Sequence, residues 1–120
     1  MSDPERHEVR PWGEFFVLSD EPGHRIKRIV VHPGKRLSYQ RHEHRSEHWF
    51  VVAGSGLVTL DGKVRTITTG DSLDVPRRAA HRIEADDVED LVFIEVQHGS
   101  YFGEDDITRL DDDYGRADPG

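Results

Sequence analysis

Residues 37–53 read Leu37-Ser38-Tyr39-Gln40-Arg41-His42-Glu43-His44-Arg45-Ser46-Glu47-His48-Trp49-Phe50-Val51-Val52-Ala53. Two strand-like runs stand out, Leu37 to His44 and Glu47 to Ala53, with Arg45-Ser46 placed to turn the chain between them. Residues two apart on a strand share a face. His42 and His44 are therefore expected to project together, with Gln40 beside them and His48 returning next to them on the following strand. Each imidazole has two nitrogens to satisfy, so a face of such rings between apolar strands needs a partner. One divalent cation satisfies several of them at once.

The rest of the chain repeats the strand pattern. Glu14 to Leu18, Arg25 to Val31, Leu57 to Leu60, Lys63 to Ile67, Ser72 to Val75, His81 to Ile83 and Leu91 to Gln97 are short and rich in Val, Ile, Leu, Phe and Thr. Turn residues punctuate them: Pro22-Gly23, Pro33-Gly34, Gly54-Ser55-Gly56, Asp61-Gly62, Gly70-Asp71 and Pro76. Asp61-Gly62 between Leu60 and Lys63 predicts a two-residue type I′ hairpin, because that turn needs positive φ at both positions. No long window carries a helical period; a short helical turn is expected near Asp105 to Leu110. The fold class is all-β, a sandwich or barrel. The ends, Met1 to Arg6 and Ala117 to Gly120, are expected to fray.

Length and composition narrow the function. The chain has 120 residues, 34% of them hydrophobic and 33% charged, with a formal net charge of −8. That supports one domain, residues 1–120, with a core over about 10–103 and an acidic tail over 104–120. Without cysteine, disulfides, thiolate zinc sites and a cysteine nucleophile are excluded. No apolar run is long enough for a membrane span and none follows Met1, so the cytoplasm is the expected compartment. The negative balance argues against nucleic acid as a partner. Charge is unevenly spread, however. Residues 25–45 carry seven bases and one acid, whereas 104–120 carry seven acids and two bases. A positive strip within an acidic protein focuses small anions.

His81 follows Gly70-Asp71-Ser72-Leu73-Asp74-Val75-Pro76 and completes the candidate ligand set His42, His44, His48 and His81, with Glu47 as the alternative to His48. Such a set suits one divalent transition metal, Zn, Mn, Fe, Co or Ni. Gln40 is expected to help orient the site. His7, His24, His32 and His98 are assigned no role, and Trp12 and Trp49 are assigned to the core or to a dimer contact.

The spacing Gly34…His42-x-His44-x-x-x-His48…Gly54, followed by Gly70…Pro76…His81, resembles the two motifs of the cupin superfamily. More narrowly, Arg10-Pro11-Trp12-Gly13, the block Gln40 to Trp49, the stretch Glu95 to Gly103, and the tail Gly103-Glu104-Asp105-Asp106-Ile107-x-Arg109 through Asp113-Tyr114-Gly115-Arg116 resemble the cupin domain of type II mannose-6-phosphate isomerases. The resemblance implies a small double-stranded β-helix (jelly-roll) barrel around a metal, a homodimer, and interconversion of mannose 6-phosphate and fructose 6-phosphate through an ene-diol. His42, His44 and His81 match the family's histidine ligands. His48 stands where many cupins have glutamate, and Ala85 where they have asparagine. Many type II enzymes carry a sugar-nucleotide transferase before the cupin; nucleotide transfer is not expected of this chain.

An aldose–ketose isomerase needs an electrophile at the oxygens and a base near the carbons. Glu47, with Arg45 and Lys27, is the catalytic group this reading expects; His48 and Glu95 are further base candidates. The sugar phosphate is expected to meet Arg10, Gln40, Arg109 and Arg116, since a guanidinium fork matches phosphate. Alternation allows only one of Lys27 and Arg28 inside, and Arg10 and Arg109 have Asp105 and Asp106 as alternative partners. Tyr101-Phe102 is expected to seal one barrel end. The alternatives are a non-catalytic cupin that binds a sugar phosphate or nucleotide sugar, and another cupin enzyme such as a dioxygenase or epimerase.

Overall fold

A computed structural model describes residues 6–103 and 105–116. The expected fraying of the two ends, Arg6 excepted, lies outside the described residues. Eleven strands follow one another: β1 (His7–Arg10), β2 (Gly13–Glu21), β3 (His24–Val31), β4 (Tyr39–Arg41), β5 (Arg45–Ala53), β6 (Ser55–Leu60), β7 (Lys63–Thr68), β8 (Ser72–Val75), β9 (His81–Ala85), β10 (Leu91–Gly99) and β11 (Thr108–Asp111). They form two antiparallel sheets, β1-β2-β3-β10-β5-β8 and β11-β4-β9-β6-β7. This is the all-β jelly roll expected of the sequence. Among the described residues no helix is long and apolar enough to cross a membrane.

Most strand positions agree with the sequence reading, and the β6–β7 hairpin turns on Asp61 (φ 47°) and Gly62 (φ 81°) as expected. Three readings are corrected. The helical turn near 105–110 is replaced by β11, which pairs with β4. His7–Arg10 is a strand that the polar sequence His-Glu-Val-Arg hides; it pairs along β2, and His7 stacks on Phe16. The Leu37–His44 strand is cut to Tyr39–Arg41, and the chain bends at Glu43–His44 rather than at Arg45-Ser46.

Alternation along the six-stranded sheet divides the barrel interior. Inward positions run Val31, Ile29, Lys27 on β3; Leu91, Phe93, Glu95, Gln97 on β10; and Val51, Trp49, Glu47, Arg45 on β5, all buried. The register sets Lys27 beside Glu95 and Glu95 beside Trp49, with Glu47 beside Gln97. Farther along, Ile29, Phe93 and Val51 lie side by side. One half of the barrel is therefore apolar, joined by Val58, Ile67, Leu73, Val75 and Ile83. Burial of a side chain such as Phe93 contributes about 1.5–3 kcal/mol. The other half is lined with ionisable groups, which that apolar floor holds in place.

Candidate metal centre and anion pocket

His42 sits in the bend between β4 and β5, Glu47 faces inward from β5, and His81 opens β9. Their ligand atoms lie within 4.8 Å of one another, and all three residues are buried. Gln40 pairs with His81 in the sheet and donates to Ser38 Oγ at 3.0 Å.

The hydrogen bonds fix what each group presents. His42 Nδ1 meets the Asp106 carbonyl at 2.7 Å, and His81 Nδ1 meets the Ala79 carbonyl at 2.9 Å. A carbonyl only accepts, so both Nδ1 atoms carry a proton; His42 Nε2, which accepts from Arg45 Nη2, presents a lone pair. Both Nε2 atoms face the Glu47 carboxylate, His42 at 3.3 Å and His81 at 4.0 Å. Burial pushes His42 down to about 4, so the ring is neutral at pH 7. Burial alone raises Glu47, but the Arg45 guanidinium beside it outweighs burial and holds the carboxyl well below the usual range. Glu47 also accepts from Trp49 Nε1 at 2.8 Å and from Arg45 Nε at 2.9 Å.

A carboxylate buried between two imidazoles requires positive charge nearby. Arg45 supplies one, donating from Nη2 to His42 Nε2 at 3.2 Å. The donor set also fits a divalent cation: imidazoles whose Nδ1 atoms are held by backbone carbonyls are the usual presentation of metal-binding histidines. The His/Glu group can hold a metal.

This cluster lies in a cavity partly open to solvent. Arg10, Lys27, Arg45, Arg82, Arg109 and Arg116 line it, against only Glu47 and Glu95 among the acids. Burial, then the Glu47 charge, push Glu95 up to about 8. At neutral pH its carboxyl is mostly protonated, while Gln97 donates to it at 2.5 Å. Four of these cations are partly compensated by carboxylates: Arg10 by Glu8, Arg45 by Glu47, Arg82 by Asp111 and Arg116 by Asp112.

Of the residues read from the sequence, His42, His81, Glu47, Arg45, Lys27, Gln40, Arg10, Arg109 and Arg116 all line this cavity. His44 and His48 do not. His44 is exposed beyond the bend, edge-on to Tyr101. His48 alternates outward from β5, with half its side chain exposed, and pairs with Asp74 at 2.6 Å. The same alternation turns Arg28 outward over Phe16. Arg10 pairs with Glu8, and Asp106 binds backbone amides. Tyr101 is exposed rather than sealing an end; its hydroxyl bonds Asp105. The sequence reading missed Ser38 and Arg82. Arg82 adjoins His81, but its partners, Leu37 and Asp111, are distant in sequence.

A jelly roll with a buried His/Glu metal-binding group defines the chain as a cupin. Residues 2–112 match the family described as Mannose-6-phosphate isomerase C-terminal, and the chain belongs to that family. Its relatives include mannose-1-phosphate guanylyltransferase of Escherichia coli K12, 43% identical over 93% of this chain and 23% of the relative. The alginate biosynthesis protein AlgA of Pseudomonas aeruginosa is 47% identical over 90% of this chain and 22% of its own length. The chain thus spans about a quarter of the curated relatives it matches. Similar folds include KdgF from Halomonas sp. (TM-score 0.72, 21% identity, covering 78% of this chain and 86% of that one). The capsular polysaccharide assembling protein CapF from Staphylococcus aureus has TM-score 0.74 and 21% identity, over 88% of this chain and 34% of that one.

These relatives correct the functional expectation. At 41–47% identity they are named for nucleotidyl transfer to mannose 1-phosphate or for alginate biosynthesis, not for mannose-6-phosphate isomerisation. The reading as an aldose–ketose isomerase, with Glu47, Arg45 and Lys27 as its catalytic group, is withdrawn.

Proposed function

We propose that this chain is a sugar-phosphate-binding cupin domain whose ligand is of the mannose 1-phosphate type, the compound that names its relatives. The observation carrying this reading is the convergence of six cationic side chains and two acids around the buried His42–Glu47–His81 cluster. Arg109 and Arg116, with Arg10 and Arg82, supply guanidinium donors for a phosphate. His42, Glu47 and His81 would hold a divalent cation, with Gln40 beside them; when bound, such an ion supplies a hard centre for sugar oxygens. The protonated Glu95 adds a hydroxyl donor without a second buried carboxylate. Its compartment, in the same proposal, is the cytoplasm.

Calorimetric titration tests this with mannose 1-phosphate, mannose and inorganic phosphate, each after chelation and again with added manganese or zinc. Mannose 1-phosphate is expected to bind, mannose far more weakly, and Arg109→Ala to lower the affinity for the phosphorylated sugar at least tenfold, about 1.4 kcal/mol. Equal affinity for mannose and its phosphate, or no binding of either, overturns the reading.

A further inference from the structure

The bend at Glu43–His44 is held from outside its own strands. Asp106 accepts from the Glu43 amide with Oδ1 at 3.0 Å and from the His44 amide with Oδ2 at 2.9 Å. Its carbonyl takes the His42 Nδ1 proton at 2.7 Å. Its own amide closes a turn onto the Gly103 carbonyl at 3.0 Å, and the side chain is buried. Just beyond it, Ile107 and Arg109 line the cavity, Arg109 paired with Gln40 across β11 and β4. One acidic residue thus joins the segment that brings Arg109 to the pocket with the bend that aims His42.

We infer that Asp106 is a positioning residue: its carboxylate fastens the 106–109 segment to the 43–44 bend, and so sets both the tautomer of His42 and the station of Arg109. The flanking carbonyls are held elsewhere, that of His42 by the Arg78 amide at 2.9 Å and that of His44 by the Ser100 amide at 3.3 Å. The amides of Glu43 and His44 are held by Asp106, so without its carboxylate they return to water and the carbonyl of residue 106 loses its fixed distance to His42. The cation end and the anion end of the pocket are then released together. This deepens the sugar-phosphate reading and rests on it for the anion half; the His42 half stands on the hydrogen bonds alone.

Charge makes the test directional. Asp106 is an acid near an anion pocket, so deleting it by Coulomb's law alone strengthens anion binding. A positioning role predicts the opposite. Asp106→Ala is expected to weaken mannose 1-phosphate binding about tenfold, a typical size for coupled sites. It is expected to lower affinity for manganese or zinc by about 10- to 100-fold, as lost outer partners of metal-binding histidines do. Long-range ¹⁵N–¹H correlation spectra are expected to show His42 in the Nδ1–H form in the parent and in mixed tautomers in the variant. Asp106→Asn keeps one acceptor for the two amides, should fall between, and decides the question if the alanine variant does not fold. Unchanged or tighter mannose 1-phosphate binding with His42 still in the Nδ1–H form overturns the inference. If the parent binds neither metal nor sugar phosphate, the functional reading fails, and the His42 tautomer in the two variants still decides the role of Asp106.

Discussion

Glu47 keeps a charge in a fully buried position because each of its oxygens has a donor. Trp49 Nε1 serves Oε1 at 2.8 Å and Arg45 Nε serves Oε2 at 2.9 Å. Trp49→Phe retains an aromatic ring and removes one donor to a charged acceptor. It is expected to cost about 2 kcal/mol in urea unfolding; a loss below about 0.5 kcal/mol would mean that water replaces the indole. Glu95 makes the opposite statement. Its folded value, near 8 against an ordinary 4.5, means that its contribution to stability is full at low pH and is lost as pH rises through 8. His42, lowered from 6.5 to about 4, contributes above pH 6.5 and loses that as pH falls towards 4. The two slopes oppose each other between about 4.5 and 6.5, so the Glu95 slope shows between 6.5 and 8. Denaturant stability of the metal-free protein is expected to fall there by up to about 1.4 kcal/mol per pH unit. Glu95→Gln, which keeps an acceptor for Gln97, should flatten that window; an unchanged slope would assign it to another group.

The elements were legible where period-two patterning and turn chemistry agree. The β6–β7 hairpin follows from Asp61-Gly62, and its tolerance can be contrasted with that of Gly56 on the same strand. A Cβ on Gly56 meets the Glu84 carbonyl oxygen at 1.9 Å, backbone against backbone, whereas Gly62 (φ 81°) has nothing within 4 Å. Thermal or urea unfolding is expected to show Gly56→Ala costing about 3 kcal/mol from overpacking and Gly62→Ala about 1 kcal/mol from left-handed strain alone. Equal costs would contradict the close pairing of β6 with β9. The 37–53 stretch was misread by two residues at its turn. Local sequence favoured Arg45-Ser46, but Asp106, more than sixty positions away, caps the amides of Glu43 and His44 instead. That shift carries Arg45 into β5, where it and Glu47 share the inward face of Trp49 and Val51, while His44 and His48 lie outside the barrel.

At the scale of the molecule, the apolar half of the barrel supports a half filled with groups that water would otherwise hydrate. Such a site is stabilised by whatever neutralises it. With the His42–Glu47–His81 cluster as the cation site, manganese or zinc at a hundredfold excess over Kd should raise folding stability by about 2.7 kcal/mol. Glu47→Gln should abolish most of that gain. A chelator-treated protein whose melting temperature ignores both ions would remove the metal from the account.

The sequence by itself determined the all-β class and most strand positions, because alternation and glycine turns are local properties written residue by residue; the jelly roll and the cavity's motif arginines followed from the family resemblance. The tertiary structure alone decided which imidazoles meet. The direction of a ring at a bend depends on the hydrogen bonds that hold the bend, and those come from Asp106 and Ala79, whose distances to His42 and His81 no local pattern encodes.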